Sequence, residues 1–102
     1  MELKPENTTV TYKGEDMLNI LKEIDFILIS LRDIGRFYAE DINNKRQEYE
    51  KETTDYIDNY KVCERLAHIR CKLTEAFDRT LGDDDMDDIE RACCNIKYWS
   101  KQ

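Results

Sequence analysis

The chain has 102 residues and a mass of 12.2 kDa, with 38% charged residues and a formal charge of -7 at pH 7. A chain of this length buries roughly two thirds of the surface that its unfolded form exposes, which is enough for one modest core. We therefore expect a single helical domain, residues 1–102, without a second lobe around a deep cleft, and this disfavours an enzyme.

The apolar segments are too short to cross a membrane. The longest, from Ile24 to Leu31, is interrupted by Asp25 and Ser30 and falls short of the ~20 residues that a bilayer span needs. Residues 1–6 lack the apolar region of a secretory signal. We expect a cytoplasmic protein in a reducing compartment, with no membrane partner.

The spacing of apolar residues predicts an all-α fold. Residues 7–12 are β-branched and polar without a helical period, so we expect an extended arm over 1–13. Residues 14–42 follow as the first helix, because apolar side chains recur every three or four positions and form one stripe. That stripe consists of Met17, Leu21, Ile24, Leu28, Leu31, Gly35, Tyr38 and Ile42.

A second helix of nearly the same length is predicted further along the chain. Residues 43–55 are polar apart from one tyrosine and have no core face, so we expect a protruding tip there. The apolar stripe then resumes over 56–81. Two helices of similar length joined by a polar tip predict a long antiparallel hairpin, in which Ile42 would face Tyr56.

A third, shorter helix is predicted over 84–100. Leu81 and Gly82 are typical of a helix stop, and we expect Asp83 or Asp84 to cap the next helix because Asp oxygens accept free backbone amides. An amphipathic spacing follows, and we expect this helix to pack against the hairpin. The residues that carry the spacing are Met86, Ile89, Cys93 and Ile96.

Four large apolar side chains are candidates for contact with a partner. Phe26, Ile29 and Phe37 lie outside the main stripe of the first helix and would remain in water in a two-helix hairpin. They need the third helix, a second copy of the chain or a target, and Trp99 is available for the same kind of contact. We expect a homodimer that buries part of the first helix.

Four cysteines and one histidine raise the possibility of a zinc site. Cys63, His68 and Cys71 share one predicted helix, and the adjacent Cys93 and Cys94 point about 100° apart. Zinc ligands usually come as two close pairs presented from turns, which this spacing does not provide. We expect reduced thiols, with no bound metal, no cofactor and no catalytic residue.

An acidic segment follows Gly82. It is no EF-hand. That loop requires Gly at its sixth position and Glu at its twelfth, and counting from Asp83 these positions hold Asp88 and Cys94. One interpretation is a solvated helix start whose carboxylates offset the helix dipole. The other is a surface for a basic partner, formed by Asp83, Asp84, Asp85, Asp87, Asp88 and Glu90.

These features favour a protein that binds another protein. The acidity disfavours direct contact with nucleic acid and favours the basic surfaces by which enzymes hold phosphates. The leading hypothesis is a non-enzymatic inhibitor of a nucleic-acid-processing enzyme, of the phage or mobile-element type, such as an anti-CRISPR or other anti-defence protein. One alternative is a structural or adaptor subunit that completes a helical bundle with itself or a partner chain. Another is an immunity protein for a basic nuclease toxin.

Overall fold

A computed structural model describes residues 3–101, and all regular structure within them is helical. The all-α prediction is confirmed. No strand occurs in this part of the chain, and none of its helices is long and apolar enough to cross a bilayer. The helices are α1 (Gly14–Tyr38), α2 (Arg46–Asn59), α3 (Val62–Thr74) and α4 (Asp88–Cys93), with short 3-10 helices at Pro5–Asn7 and Ala39–Asp41.

The chain divides into two compact units. The first, which we call the helical unit, is Lys13–Leu73 and contains α1, α2 and nearly all of α3. The second, the terminal unit, combines the residues up to Tyr12 with those from Thr74 onward and contains α4. The contacts within each unit differ in kind: an apolar core organises the first, and hydrogen-bonded carboxylates organise the second.

Within the helical unit, α2 and α3 run antiparallel to α1. Near the end of α1, the ring of Tyr38 lies 6.0 Å from the ring of Tyr49. Two fifths of the way along α1, Glu23 forms an ion pair of 2.8 Å with Arg65. Residue numbers on the partner helices therefore rise as those on α1 fall, which is the signature of an antiparallel pair.

The polar tip expected over 43–55 is wrong, because most of this segment is the helix α2. The chain reverses at 42–45 instead, so Tyr56 contacts Phe26 rather than Ile42. The segment is rich in good helix formers, and ion pairs four residues apart stabilise it without an apolar face. These pairs are Arg46–Glu50 and Lys51–Asp55.

The continuous second helix expected over 56–81 is also wrong. Lys61 adopts a φ of 53°, a left-handed conformation that ends α2. Arg65 donates a 2.8 Å hydrogen bond from Nε to the carbonyl oxygen of Tyr60, which satisfies one of the free carbonyls at this helix end. The following helix, α3, stops at Thr74, and the residues beyond it belong to the terminal unit.

The most buried row of α1 lies beside the predicted stripe. Three members of the stripe contribute to the buried side as well, because Tyr38 is buried and Met17 and Leu31 pack against the core. Ile20 and Ile27 are buried on α1, whereas Leu21 and Leu28 of the stripe are exposed. Apolar residues cover more than half of the circumference of α1, and the antiparallel partners cover only one side of it. The buried residues of those partners are Tyr56, Val62 and Ile69.

The two ends of the chain also differ from expectation. The segment expected to be an extended arm contains a 3-10 turn, Pro5–Asn7, whose last side chain is buried; residues 1 and 2 of that arm lie outside the described part. Proline at the start of the turn supplies the backbone angle that it needs. The third helix, expected over 84–100, spans only Asp88–Cys93.

Truncation of the buried row of α1 should destabilise the protein far more than truncation of the exposed row. Ile27→Ala removes a side chain that is 8% exposed and should lower the free energy of unfolding by about 2–4 kcal/mol. Leu28→Ala, at a side chain that is 50% exposed, is the matched control and should cost less than about 1 kcal/mol. Urea unfolding of dilute protein measures both values. If Leu28→Ala lowered the free energy of unfolding more than Ile27→Ala, the core face of α1 would be the stripe predicted from the sequence.

Candidate functional site

Asp88 is the most deeply buried carboxylate of the terminal unit, with 2% of its surface exposed. Its Oδ2 accepts hydrogen bonds from the Lys4 backbone amide at 2.9 Å and from Asn7 Nδ2 at 2.8 Å. Its Oδ1 accepts one from Arg91 Nη1 at 2.7 Å. These bonds compensate the desolvation of the charge and lower the pKa of Asp88, with Asn7 contributing most, then the Lys4 amide, then Arg91.

Asn7 joins two segments that lie 71 residues apart in the sequence. Its Nδ2 donates to the carbonyl oxygen of Asp78 at 2.9 Å, and its Oδ1 accepts the Asp78 amide at 2.8 Å. The Asp78 carboxylate also forms an ion pair with Lys4 Nζ at 3.3 Å. Hydrogen bonds from Thr80, and then from Lys4, lower the pKa of Asp78 to about 2.

Asp87 caps α4, so the expected caps Asp83 and Asp84 are wrong. The Asp87 carboxylate accepts the Glu90 amide at 2.8 Å, and the Glu90 carboxylate accepts the Asp87 amide at 3.4 Å, which completes a capping box. The other Asp87 oxygen forms an ion pair of 2.7 Å with Arg79 Nε. The pKa of Asp87 is lowered, first by the Glu90 amide and then by Arg79.

Arg91 holds the acidic segment in a compact turn. Its Nε and Nη2 donate to the two oxygens of Asp84 at 2.7 and 2.8 Å, and Nη2 also donates to the Met86 carbonyl oxygen at 2.9 Å. This bidentate pair lowers the pKa of Asp84 and raises that of Arg91. A Cβ on Gly82 would lie 2.8 Å from Arg91 Nη2, so glycine leaves the space for the guanidinium. Asp85 takes a left-handed φ of 61°, which Asp tolerates better than most residues.

The six acidic candidates therefore fall into two groups. Three carboxylates form ion pairs with Arg79 or Arg91 inside the terminal unit: Asp84, Asp87 and Asp88. The other three residues are exposed, and one of them contributes its carboxylate to the capping box: Asp83, Asp85 and Glu90. Much of the charge that the sequence offers to a partner is thus compensated internally.

The four apolar candidates also have different environments. Phe26 packs against the ring of Tyr60, and the guanidinium of Arg65 lies 4.6 Å from its ring centroid. It nevertheless remains exposed, as expected for a two-helix pairing. Phe37 is 76% exposed and forms a T-shaped pair with Tyr38, with the two ring centroids 4.9 Å apart. The remaining two are exposed, Ile29 on α1 and Trp99 in the terminal unit.

A broader apolar surface on α1 was missed in the sequence as a site. Its members are exposed on one side of the helix, next to the buried row, and we call them the open α1 face. The strict alternation of three and four residues in the predicted stripe is typical of a coiled-coil seam and was the signal that could have revealed it. The face consists of Leu18, Leu21, Ile24, Leu28 and Ile29.

Two leucines of α3 extend the open α1 face. Leu66 and Leu73 are exposed and lie about 80–100° around α3 from Arg65. The buried Val62 and Ile69 lie between them and Arg65, so the leucines flank the buried row on its other side. The open α1 face lies on the opposite flank of α1 from Glu23. Because Arg65 and Glu23 meet in an ion pair on one side, the leucines of both helices lie together on the other.

An aromatic groove on the helical unit was likewise not predicted. It encloses about 480 Å³ and has a rim of acidic side chains. Burial, and then the charges of Glu52 and Glu48, raise the pKa of Tyr38 in its wall. Its aromatic members are Phe37, Tyr38, Tyr56 and Tyr60, and its acidic members are Asp33, Glu52 and Asp55.

The cysteines and the histidine do not form a cluster. Cys63, Cys71 and Cys94 are exposed, and Cys93 is half-buried. Over residues 3–101, no group of three His, Cys, Asp or Glu side chains is arranged to hold a metal ion.

Comparison with models of protein families, with curated proteins and with solved structures gives no match to this chain. The surfaces whose chemistry can indicate a function are the acidic segment, the open α1 face and the aromatic groove.

Neutralising a buried carboxylate should loosen the terminal unit, whereas neutralising an exposed one should not. In Asp88→Asn the new amide nitrogen must face either Arg91 or the donors of Asn7 and Lys4, so at least one hydrogen bond becomes a repulsive contact. We expect amide hydrogen exchange in α4 to accelerate at least roughly tenfold. Asp85→Asn removes the same charge at an exposed position and should leave exchange unchanged. Equal effects of the two variants would contradict a structural role for Asp88.

Acid should unfold the terminal unit before the helical unit. Carboxylates with a lowered folded pKa stabilise the fold above the ordinary pKa near 4, and this stability is lost as the pH falls toward the folded pKa. The folded pKa is about 2 for Asp78 and is also lowered for Asp84, Asp87 and Asp88. NMR amide signals of α4 should therefore weaken between about pH 4 and pH 2, before those of α1. Simultaneous loss of both units would show that acid acts elsewhere.

Proposed function

We propose that the protein is a non-enzymatic structural or adaptor subunit that binds another polypeptide chain through the open α1 face. The observation that carries this proposal is the exposure of five large aliphatic side chains along one side of a single helix, among them Leu18 at 60%. Contiguous apolar patches of this kind mark sites of protein–protein contact.

The energetic argument favours a helical partner. Fully burying a Leu or Ile side chain stabilises a complex by roughly 1.5–3 kcal/mol before the costs of association are subtracted. Leu21, Ile24 and Leu28 are spaced as the anchors of one helix packed along another. A partner helix laid along α1, beside Leu66 and Leu73 of α3, would complete a bundle of the ordinary kind.

The shifted pKa values of the terminal unit support a structural rather than a catalytic use of its carboxylates. Asp87 and Asp88 accept bonds from backbone amides, Asn7 and arginines that hold the unit together. Networks of this type perturb pKa values without taking part in a reaction. We therefore propose that these carboxylates are structural and that the protein is not an enzyme.

A second candidate is an inhibitor that binds a basic surface of a nucleic-acid-processing enzyme, as an anti-CRISPR or immunity protein would. The exposed Asp83 and Asp85 and the net charge of -7 favour it. The aromatic groove favours it as well, because aromatic walls and the carboxylates of Asp33 and Glu52 suit an inserted lysine or arginine side chain. In this candidate the protein acts in the cytoplasm on a protein target and does not itself contact nucleic acid.

The two candidates differ in the substitution that abolishes binding. Tagged protein is used to recover partners from extracts of the source cells, and the recovered proteins are quantified by mass spectrometry. Leu21→Ser/Leu28→Ser should reduce recovery of the partner at least about tenfold, because each change removes apolar contact area. Asp83→Asn/Asp85→Asn is the matched control on the exposed acidic residues and should retain it.

Circular dichroism establishes that both double variants keep their helices. Loss of the partner in the Asn variant, with retention in the Ser variant, would reject the adaptor proposal in favour of the inhibitor. Added salt provides a second discriminator, because charge-driven association slows steeply with ionic strength and apolar association does not.

A further inference from the structure

We propose that a second copy of this chain covers the open α1 face, with the two α1 helices antiparallel about a two-fold axis that passes between Leu28 and Ile29. The inference rests on the proposed function and deepens it, since it names the chain that completes the bundle. It depends on three features of α1: the spacing of its apolar residues, the position of two charges and one glycine.

The apolar spacing is that of a two-stranded seam. Leu21, Ile24 and Leu28 continue to Leu31 and Gly35 with the same alternation of four and three residues. In the helical unit, the first three of these are left exposed by α2 and α3. Such a seam pairs best with a helix whose apolar residues have the same spacing. The α1 helix of a second copy has this spacing because its sequence is the same.

Charged residues also lie within the face: Arg36 falls in the row of Leu18, and Asp25 and Arg32 lie between the apolar rows. Asp25 and Arg32 are seven residues apart, so both fall in one row of α1, between the row of Leu21 and Leu28 and that of Leu18. Both are exposed, and no ion pair is formed by either among the described residues. An entirely apolar partner would desolvate both charges without compensation, which is costly.

An antiparallel second copy compensates both charges with its own sequence. Rotation about the axis between residues 28 and 29 places Asp25 opposite Arg32 of the second copy, and Arg32 opposite its Asp25. The interface therefore contains the same ion pair twice, as a two-fold contact requires. A parallel copy would instead place Asp25 level with Asp25 and Arg32 level with Arg32.

Gly35 makes room for this arrangement. The axis places it opposite Lys22 of the second copy and next to Leu21 of that copy. Apart from its chain neighbours and the adjacent backbone of α1, no atom lies within 4 Å of the position that a Cβ on Gly35 would take, so this part of α1 is open. The missing side chain leaves space for the leucine and lets the two backbones approach closely.

Charge reversal tests both the second copy and its direction. Sedimentation velocity of the full chain from micromolar to submillimolar concentration should show a dimer. Asp25→Arg and Arg32→Asp each replace two attractive contacts by two repulsive ones and should weaken the homodimer at least about tenfold. A 1:1 mixture of the two variants places arginines opposite aspartates again and should form a heterodimer close to wild-type strength.

The matched control is Glu64→Arg, which makes the same change of charge as Asp25→Arg at an exposed position of α3 on the far flank from Leu66. It should dimerise like the wild type, and circular dichroism should show every variant folded. A wild type that stays monomeric at all concentrations would overturn the second copy as occupant. A dimer indifferent to both charge reversals would overturn the antiparallel register. In either case, recovery of a partner by wild type but not by Leu21→Ser/Leu28→Ser would uphold the proposed function separately.

Discussion

The organisation of the helical unit follows from one constraint: α1 carries more apolar surface than its partner helices can cover. The facing helix α2 is strongly polar, and its main apolar contributions are Tyr49, Tyr56 and Ile57. Those side chains pack against the row of α1 that contains Ile20 and Ile27, together with Val62 and Ile69 of α3. The neighbouring rows of α1 then have no comparable partner on α2 or α3, and burial of their exposed apolar side chains would be favourable.

The terminal unit is built on the opposite principle. Its one α-helix, α4, has six residues and is far too short to be stable by itself. The capping box of Asp87 fixes the start of this helix, and Asp88 ties it to Lys4 and Asn7. Since these bonds need ionised carboxylates, stability in this unit depends on pH in a way that the apolar core of the helical unit does not.

Sequence periodicity was sufficient for the fold class and for the start of α1, because a 25-residue amphipathic helix gives a strong signal. It could not decide which of two adjacent apolar rows is buried. Periodicity locates the apolar part of the α1 surface, but the positions of α2 and α3 determine which row of it is buried. It also misplaced the chain reversal, because the first two turns of α2 are polar apart from Tyr49 and show no apolar stripe. The roles of Asp87 and Asp88 were out of reach for a related reason: Asn7, a decisive partner, lies 81 residues from Asp88.

The contrast between total and local charge bears on recognition. A formal charge of -7 suggests a surface suited to basic partners, yet Arg79 and Arg91 compensate three of the six carboxylates in the acidic segment. Internal pairing fixes those side chains, and a basic partner would have to displace an arginine already held at 2.7 Å to reach Asp88. The aliphatic side chains of the open α1 face make no hydrogen bond or ion pair that a partner would have to displace. The proposed recognition by that face uses none of the carboxylates on which the terminal unit depends.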